Sequence, residues 1–218
     1  MNRTVLIALL WTVTGAASGQ IANNSTDGLV WKPSRVWKSD VLPNATVSKE
    51  MAGKLRVSDM AVVLEKTNMR DVQERFGGTP GEEGDAGTSI EWLCLHGGDV
   101  AGRWVLWLVS GEMDDGTVGS FQWRQVNRTA KIDERCGSLL KTDSAVYLPI
   151  ALNLGMTESK LLQLLGQPTA RQGDTLLYVH EHEGAAQNGP FTALNTVSVV
   201  VQEGRVVAID VLKVSFAD

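Results

Sequence analysis

One stretch of this chain occurs twice, sharply at residues 155–168 and in blurred form at residues 68–80. Gly155-Met156-Thr157 opens the sharp copy and Leu165-Gly166-Gln167-Pro168 closes it. At a constant offset Asn68 aligns with Thr157, Val72 with Leu161, Phe76 with Leu165 and Gly77 with Gly166, and Thr79-Pro80 answers Gln167-Pro168 after a one-residue slip. Further on, Thr88-Ser89-Ile90-Glu91-Trp92 corresponds to Asp174-Thr175-Leu176-Leu177-Tyr178, and residues 116–121 to residues 204–209. An internal recurrence of this kind predicts a tandem array whose function is sought on a shared surface.

Each copy has a physical reading. The Thr157 hydroxyl can accept from an orphan amide of a first helical turn, and Glu158 adds a charge that suits the positive end of the dipole. Asn68 and Asp71 serve the first copy in the same way. Leu161, Leu162 and Leu165 form an apolar stripe at helical spacing, as Val72 and Phe76 do more weakly. Gly166 suits a left-handed C-cap, and Pro168 cannot continue the helix. The apolar residues 61–64 and 150–154 are each short enough for a lead-in helical turn.

The segment after each helix reads as antiparallel sheet. Residues 104–109 are a dense apolar run and residues 118–126 alternate, with Asp115-Gly116 between them as a two-residue hairpin turn whose positions tolerate positive φ. Glu203-Gly204 turns the matching hairpin between residues 197–201 and 205–211. The unit is α-β-β-β, used twice.

The Gly-Met-Thr…Leu-Gly-x-Pro phrase followed by strands resembles the BamE/SmpA family of small cell-envelope proteins, and its duplication resembles the β-lactamase inhibitory protein fold. The similarity covers roughly residues 55–216, and Lys66-Thr67-Asn68 stand in the first copy where Gly155-Met156-Thr157 stand in the second. The resemblance implies an α+β protein of two tandem α-β-β-β repeats, each a helix packed on an antiparallel sheet. The expected division is a signal peptide at 1–19, a flexible N-terminal segment at 20–54, a first BamE-like repeat at 55–140 and a second at 141–218. Such a phrase encodes a cap, a helix and a stop, so it speaks for fold far more than for activity.

The leader carries the localisation. Asn2-Arg3 is a weakly basic start, residues 5–14 are an apolar run too short to span a bilayer, and Ala16-Ala17-Ser18-Gly19 offers small residues for cleavage. The expectation is export to the periplasm or beyond, with no stable membrane span once the leader is gone. No Cys lies near the cleavage site, so no lipid anchor is expected, whereas BamE/SmpA proteins carry one. A chain of 218 residues, 43% hydrophobic and 21% charged, can bury a sizeable core. Its net charge of −5 becomes −6 without Arg3, which argues against nucleic acid as a partner. Residues 20–54, rich in Asn, Ser, Thr and Pro, read either as a spacer or as a segment that docks Trp31 and Trp37. Asn23, Asn24, Asn44 and Asn127 each head a sequon.

Cys94 and Cys136 are the only cysteines, and an exported chain meets an oxidising compartment, so a disulfide between them is expected; two free thiols are the alternative. His180 and His182 would share one face of a strand, but zinc needs further ligands and His96 is the only other histidine. A zinc-dependent activity is therefore the weakest reading, and no cofactor is expected. The chain carries no nucleophile elbow, zincin phrase, phosphate loop or dinucleotide fingerprint, so it is expected not to be an enzyme.

The tryptophans carry the rest. With Asp115-Gly116 as the turn, Leu108 would oppose Trp123, Leu106 would oppose Gln125 and Trp107 would oppose Arg124. Trp104, Leu106, Leu108, Phe121 and Trp123 then share a core face, and Val105, Trp107, Val109, Gln122 and Arg124 share the other. In the second unit the same logic puts Val200, Val207, Ile209 and Val211 on one face and Val199, Val201, Ala208 and Leu212 on the other. Trp and Arg on an open sheet suit protein binding, so Trp107, Arg124, Val109 and Gln122 are the candidate binding face. The alternative is that the N-terminal segment covers it. The sequence thus predicts a non-enzymatic module that binds another protein; inhibition of a secreted or periplasmic enzyme, or an outer-membrane assembly scaffold, are the alternatives.

Overall fold

The computed structural model describes residues 29–30, 32–33, 52–86, 88–99, 102–139, 146–186 and 189–217. The expected leader, Trp31 and Trp37, and the sequons at Asn23, Asn24 and Asn44 lie outside the described residues. The architecture is mostly β with two short helices. In chain order the elements are β1 (Leu29–Val30), β2 (Lys54–Val57), β3 (Met60–Val63), α1 (Met69–Phe76), β4 (Gly81–Glu83), β5 (Ile90–Asp99), β6 (Gly102–Gly111), β7 (Ser120–Val126), β8 (Lys131–Ile132), β9 (Gly137–Ser138), β10 (Val146–Tyr147), α2 (Glu158–Leu165), β11 (Ala170–Gln172), β12 (Thr175–Ala186), β13 (Gly189–Gln202) and β14 (Arg205–Ala217).

Both helices begin where the sequence places them. The Arg70 amide donates to Asn68 Oδ1 at 2.9 Å and the Lys160 amide to Thr157 Oγ1 at 3.4 Å. The turns of the following hairpins hold both starts by the same backbone exchange. Met69 N donates to Gly116 O and Val118 N to Thr67 O in one half; Glu158 N donates to Gly204 O and Val206 N to Met156 O in the other. Gly77 and Gly166 end the helices with φ of 73° and 81° and ψ near −160° (−162° and −161°), which is not the left-handed cap expected for Gly166 but a region essentially reserved for glycine.

Two separate, equal repeats are not what forms. Nine strands make one sheet, ordered β11-β12-β13-β14-β7-β6-β5-β4 with β9 added to β5, because β7 and β14 pair antiparallel and satisfy each other's open edges. A second sheet, β10-β2-β3, accompanies the first half, and Val146 of β10 pairs with Val57 of β2. Residues 61–63 are accordingly strand, with Leu64 in the turn that follows, and neither 61–64 nor 150–154 forms the expected helical turn: Val62 and Leu64 are buried beside Leu55 and Val57, and β-branched valines suit that pleat.

The main core lies on the helix side of the sheet. Val72 and Met69 of α1, Leu161 of α2 and the small sheet's Leu55, Val57 and Val62 meet Trp104, Leu106, Leu108, Phe121 and Trp123. That aromatic face is the one its alternation predicts, with Trp104 and Trp123 edge to face at 6.4 Å. Two cross-strand glycines make room for tryptophan rings. A Cβ on Gly97 would stand 2.4 Å from Trp104 and one on Gly81 would stand 2.3 Å from Trp92.

Candidate binding face

The residues singled out for binding sit on the face turned away from the helices, but not in the register expected. Trp107 pairs with Gln122, Arg124 with Val105, Leu106 with Trp123 and Leu108 with Phe121. Asp115 and Gly116 do take the positive φ of a tight turn, at 49° and 74°. The hairpin nevertheless closes further back, with Val109 opposite Ser120, because Thr117 and Val118 peel away to pair with the lead-in to α1. The pairing slides by two positions, which preserves the faces and changes the neighbours. Trp107 and Arg124 are thus diagonal and not opposite.

Nor is this face open. Trp107 is 4% exposed and Gln122 7%, and Val109 is also buried. Trp107 belongs to a second core with Trp92, Cys94, Val105, Val109 and Cys136, onto which Val30, Ile90, Val126 and Ile132 pack. The disulfide Cys94–Cys136 stands at its centre, as expected. It ties β5 to the segment after β8, and closing a loop of this length contributes about 4 kcal/mol on the chain-entropy account. Part of the N-terminal segment does lie here: β1 runs parallel to β8, with Leu29 beside Lys131 and Val30 beside Ile132.

Arg124 has a partner that sequence reasoning missed. Its Nη2 donates to Asp210 Oδ2 at 3.1 Å across the β7–β14 seam, and the two side chains are 15% and 4% exposed. Burial pushes the Asp210 carboxyl up, against the pull of the Arg124 guanidinium beside it. Arg124 Nε is buried without a hydrogen-bond partner. A lone Asp among Val206, Ala208, Ile209, Val211 and Leu212 was the available signal. The registers run a row across the whole face, Leu177, Ser198, Asp210, Gln122, Trp107, Cys94, that is polar at the seam and apolar over the first half.

The second half's faces also differ from expectation. Glu203 and Gly204 form the two-residue turn, with Gln202 opposite Arg205, but a bulge between Val200 and Val201 sets Val200 opposite Ala208. Val207 is the extra residue, so Ile209 and Val211 fall with Val197 and Val199 on the helix side. β13 and β14 are both longer than the expected 197–201 and 205–211. Among the described residues, flanking strands cover β12 and β14 only at the base, where β11 pairs with β12 through Leu177 and β7 with β14 through Leu212; further out, Asn195 exchanges hydrogen bonds with the Ala52 backbone and Ser215 Oγ donates to Glu65 Oε2 at 2.9 Å. Beyond that, β12, β13 and β14 continue as a three-stranded arm.

The histidines do not converge. His180 and His182 lie on this arm, opposite Asn195 and Ala193, and His182 meets the Phe191 ring edge to face at 6.3 Å. His96 is on β5, five inter-strand steps away, or roughly 24 Å at ~4.8 Å per step. Among the described residues no group of three or more His, Cys, Asp or Glu could hold a metal. Burial, reinforced by nearby Arg103, holds the His96 imidazole below its usual value.

Compared with protein-family models, with curated proteins and with solved structures, the chain matches none. The disulfide fits an oxidising, extracytoplasmic location, and among the described residues no helix is long and apolar enough to cross a membrane.

Proposed function

We propose that this chain is an exported, non-enzymatic module that binds another protein, and that its arm is the surface it offers. The observation that carries the reading is that β12, β13 and β14 run past their lateral partners, so the outer edge of β12 from Glu181 onward and that of β14 beyond Lys213 have no neighbouring strand among the described residues. Strand edges and the side chains alternating along them are what partner chains recognise by strand addition. Exposed Glu181, His182 and Glu183 and half-buried Phe191, Leu194 and Val214 supply both charge and apolar contact. The shared backbone exchange at the two helix starts supports a BamE/SmpA-like duplication as the origin of the platform. A projecting hairpin also suits insertion into a cleft, which favours inhibition of a secreted or periplasmic enzyme as the second reading, over an assembly scaffold.

The immobilised full chain tests this against envelope and extracellular proteins. Replacing His182 and Phe191 together by Ala is expected to leave the melting temperature unchanged and to weaken capture at least tenfold. Capture that survives this change overturns the arm as the surface. Recovery of a soluble enzyme would select the inhibitor; recovery of membrane-assembly components would select the scaffold.

A further inference from the structure

The outer edge of the arm has a polarity that follows from how β12 is bonded. Val201 N donates to Asp174 O, and the register from that pair outward runs without a bulge, so the even-numbered residues of β12 turn their amides and carbonyls to β13. The odd-numbered ones turn theirs outward, as the Val179 amide does when it donates to Thr169 Oγ1 at 3.0 Å. Thr169 is where the chain arriving from α2 joins this edge, and beyond it Glu181 and Glu183 present the next outward amides and carbonyls. Both of their side chains are exposed, as is that of His182 between them. The two carboxylates stand on the face turned away from the helices, because Leu176 and Tyr178 carry the even positions into the main core. Their neighbours across β13 are Leu194 and Thr192, which bring no countercharge. The other edge has no matching acidic pair: Val214 and Ser215 follow Lys213 there, and Ser215 Oγ donates to Glu65 Oε2 at 2.9 Å.

Resting on the protein-binding reading above, we infer that the β12 edge at residues 181–183 takes an extended basic segment of another protein, added as a further strand and antiparallel, as β11 and β13 are. Glu181 and Glu183 each exchange both main-chain bonds with a residue of the incoming strand. Those two residues are two apart and share the face of the carboxylates, so a Lys-x-Lys or Arg-x-Arg spacing sets a cation against each Glu. The residue between them meets His182. Main-chain bonding supplies the affinity and the alternate cations supply the selection. A second copy of this chain is the wrong occupant. Antiparallel self-pairing about a two-fold axis keeps each face on its own side, so it sets residues of equal parity opposite one another. Registers centred on Glu181, His182 or Glu183 therefore put carboxylate against carboxylate, which is destabilising. The same charges guard the edge against self-association and choose its partner.

The test uses the full chain and a short fluorescent peptide of alternating threonine and lysine, read by fluorescence anisotropy. Wild type is expected to bind it at least tenfold more tightly than the same peptide with glutamate for lysine. Glu181→Lys with Glu183→Lys should reverse that preference at an unchanged melting temperature. Charge attraction without strand addition would give the same reversal, so the peptide backbone is altered as well, with no change to the protein. N-methylation of the lysine amides, which face the edge, should weaken binding at least tenfold, and N-methylation of the threonine amides, which face away, should not. Equal effects of the two methylations, or no preference for lysine, overturn the basic strand. The Glu183 amide faces outward, so Glu183→Pro blunts the edge and leaves the β12–β13 ladder intact. Wild type that sediments as a dimer, and as a monomer once it carries Glu183→Pro, would make a second copy the occupant and overturn the basic partner. If the peptide fails while wild type still captures a partner, only the basic strand falls; if wild type binds no peptide and captures nothing, the protein-binding reading falls with it.

Discussion

The two halves of the sheet start alike and end differently. Each has a helix capped by its own following hairpin turn, yet the faces turned away from the helices have opposite fates. Over β5 and β6 the outward residues are Trp92, Cys94, Val105, Trp107 and Val109, and they gather a second core. Over β13 and β14 the corresponding positions include Thr196, Ser198 and Asp210, buried but polar, before the strands run on into the arm. A duplicated cap, helix and turn fixes where strands begin; it does not decide what covers the back of the sheet. That depends on the alternate residues of each strand. The apolar half recruits β1 and a disulfide, while the polar half keeps its hydrogen-bonding groups for the seam and its length for the arm.

The largest test of this contrast is Trp107→Ala. If the first half's outer face is core, the variant loses about 3–5 kcal/mol in urea unfolding, in the range for buried aromatics. A loss below about 1 kcal/mol would return Trp107 to the surface role its sequence context suggests. Next comes the seam. Asp210→Leu strands the Arg124 charge and should cost about 3 kcal/mol, whereas Arg124→Met with Asp210→Leu should recover to wild-type stability or better, because the desolvation of both charges disappears. Additive losses would show that each residue acts alone and that the seam pair is no unit.

These expectations also mark what the sequence could and could not disclose. Capping by Asn68 and Thr157, the ends at Gly77 and Gly166, the positive φ of Asp115, Gly116, Glu203 and Gly204, and the Cys94–Cys136 bond were all legible, because each is a local property or follows from compartment. The register of β6 on β7 was not. It is set by Thr117 and Val118 pairing with residues far upstream, so a correct turn still gave the wrong neighbours. Val207 is ordinary in composition, yet its extra place in β14 inverts a whole face. Arg124 and Asp210 are 86 residues apart and meet only because two open edges join. The candidate face was legible as a face and wrong as a surface, since the same apolar residues serve a binding patch or a second core.

The outer edges of the two halves give a smaller comparison. At one, Gly81 of β4 lies opposite Trp92; at the other, Ala170 of β11 lies opposite Leu177. Gly81→Ala would press a methyl group into the Trp92 ring and should cost about 1–3 kcal/mol by overpacking. Ala170→Gly should cost no more than about 1 kcal/mol, the usual penalty of glycine in an ordered strand. Equal effects at the two edges would mean that the Trp92 ring moves aside, and that the first half is less tightly built than its burial implies.

Acid separates the halves more finely still, because two buried aspartates respond with opposite sign. The Arg135 guanidinium, joined by the Arg135 backbone amide, holds the Asp133 carboxyl down at about 2. Its contribution is present above the unfolded value of about 3.9 and is lost as pH falls through the folded value. Burial sets Asp210 the other way, so its folded value lies above the unfolded one. That contribution is fully present below about 3.9 and is lost as pH rises through the folded value. Stability measured from pH 6 to pH 2 should therefore show wild type losing its advantage over Asp133→Asn between about pH 4 and pH 2, by at most on the order of 1 kcal/mol, because the Arg135 side of the pair is 48% exposed. Against Asp210→Asn, wild type should instead gain on acidification and reach its full gain by about pH 4. Parallel curves for the two variants would mean that the seam is wetter than its packing implies, and that the back of the second half is open to solvent as that of the first is not.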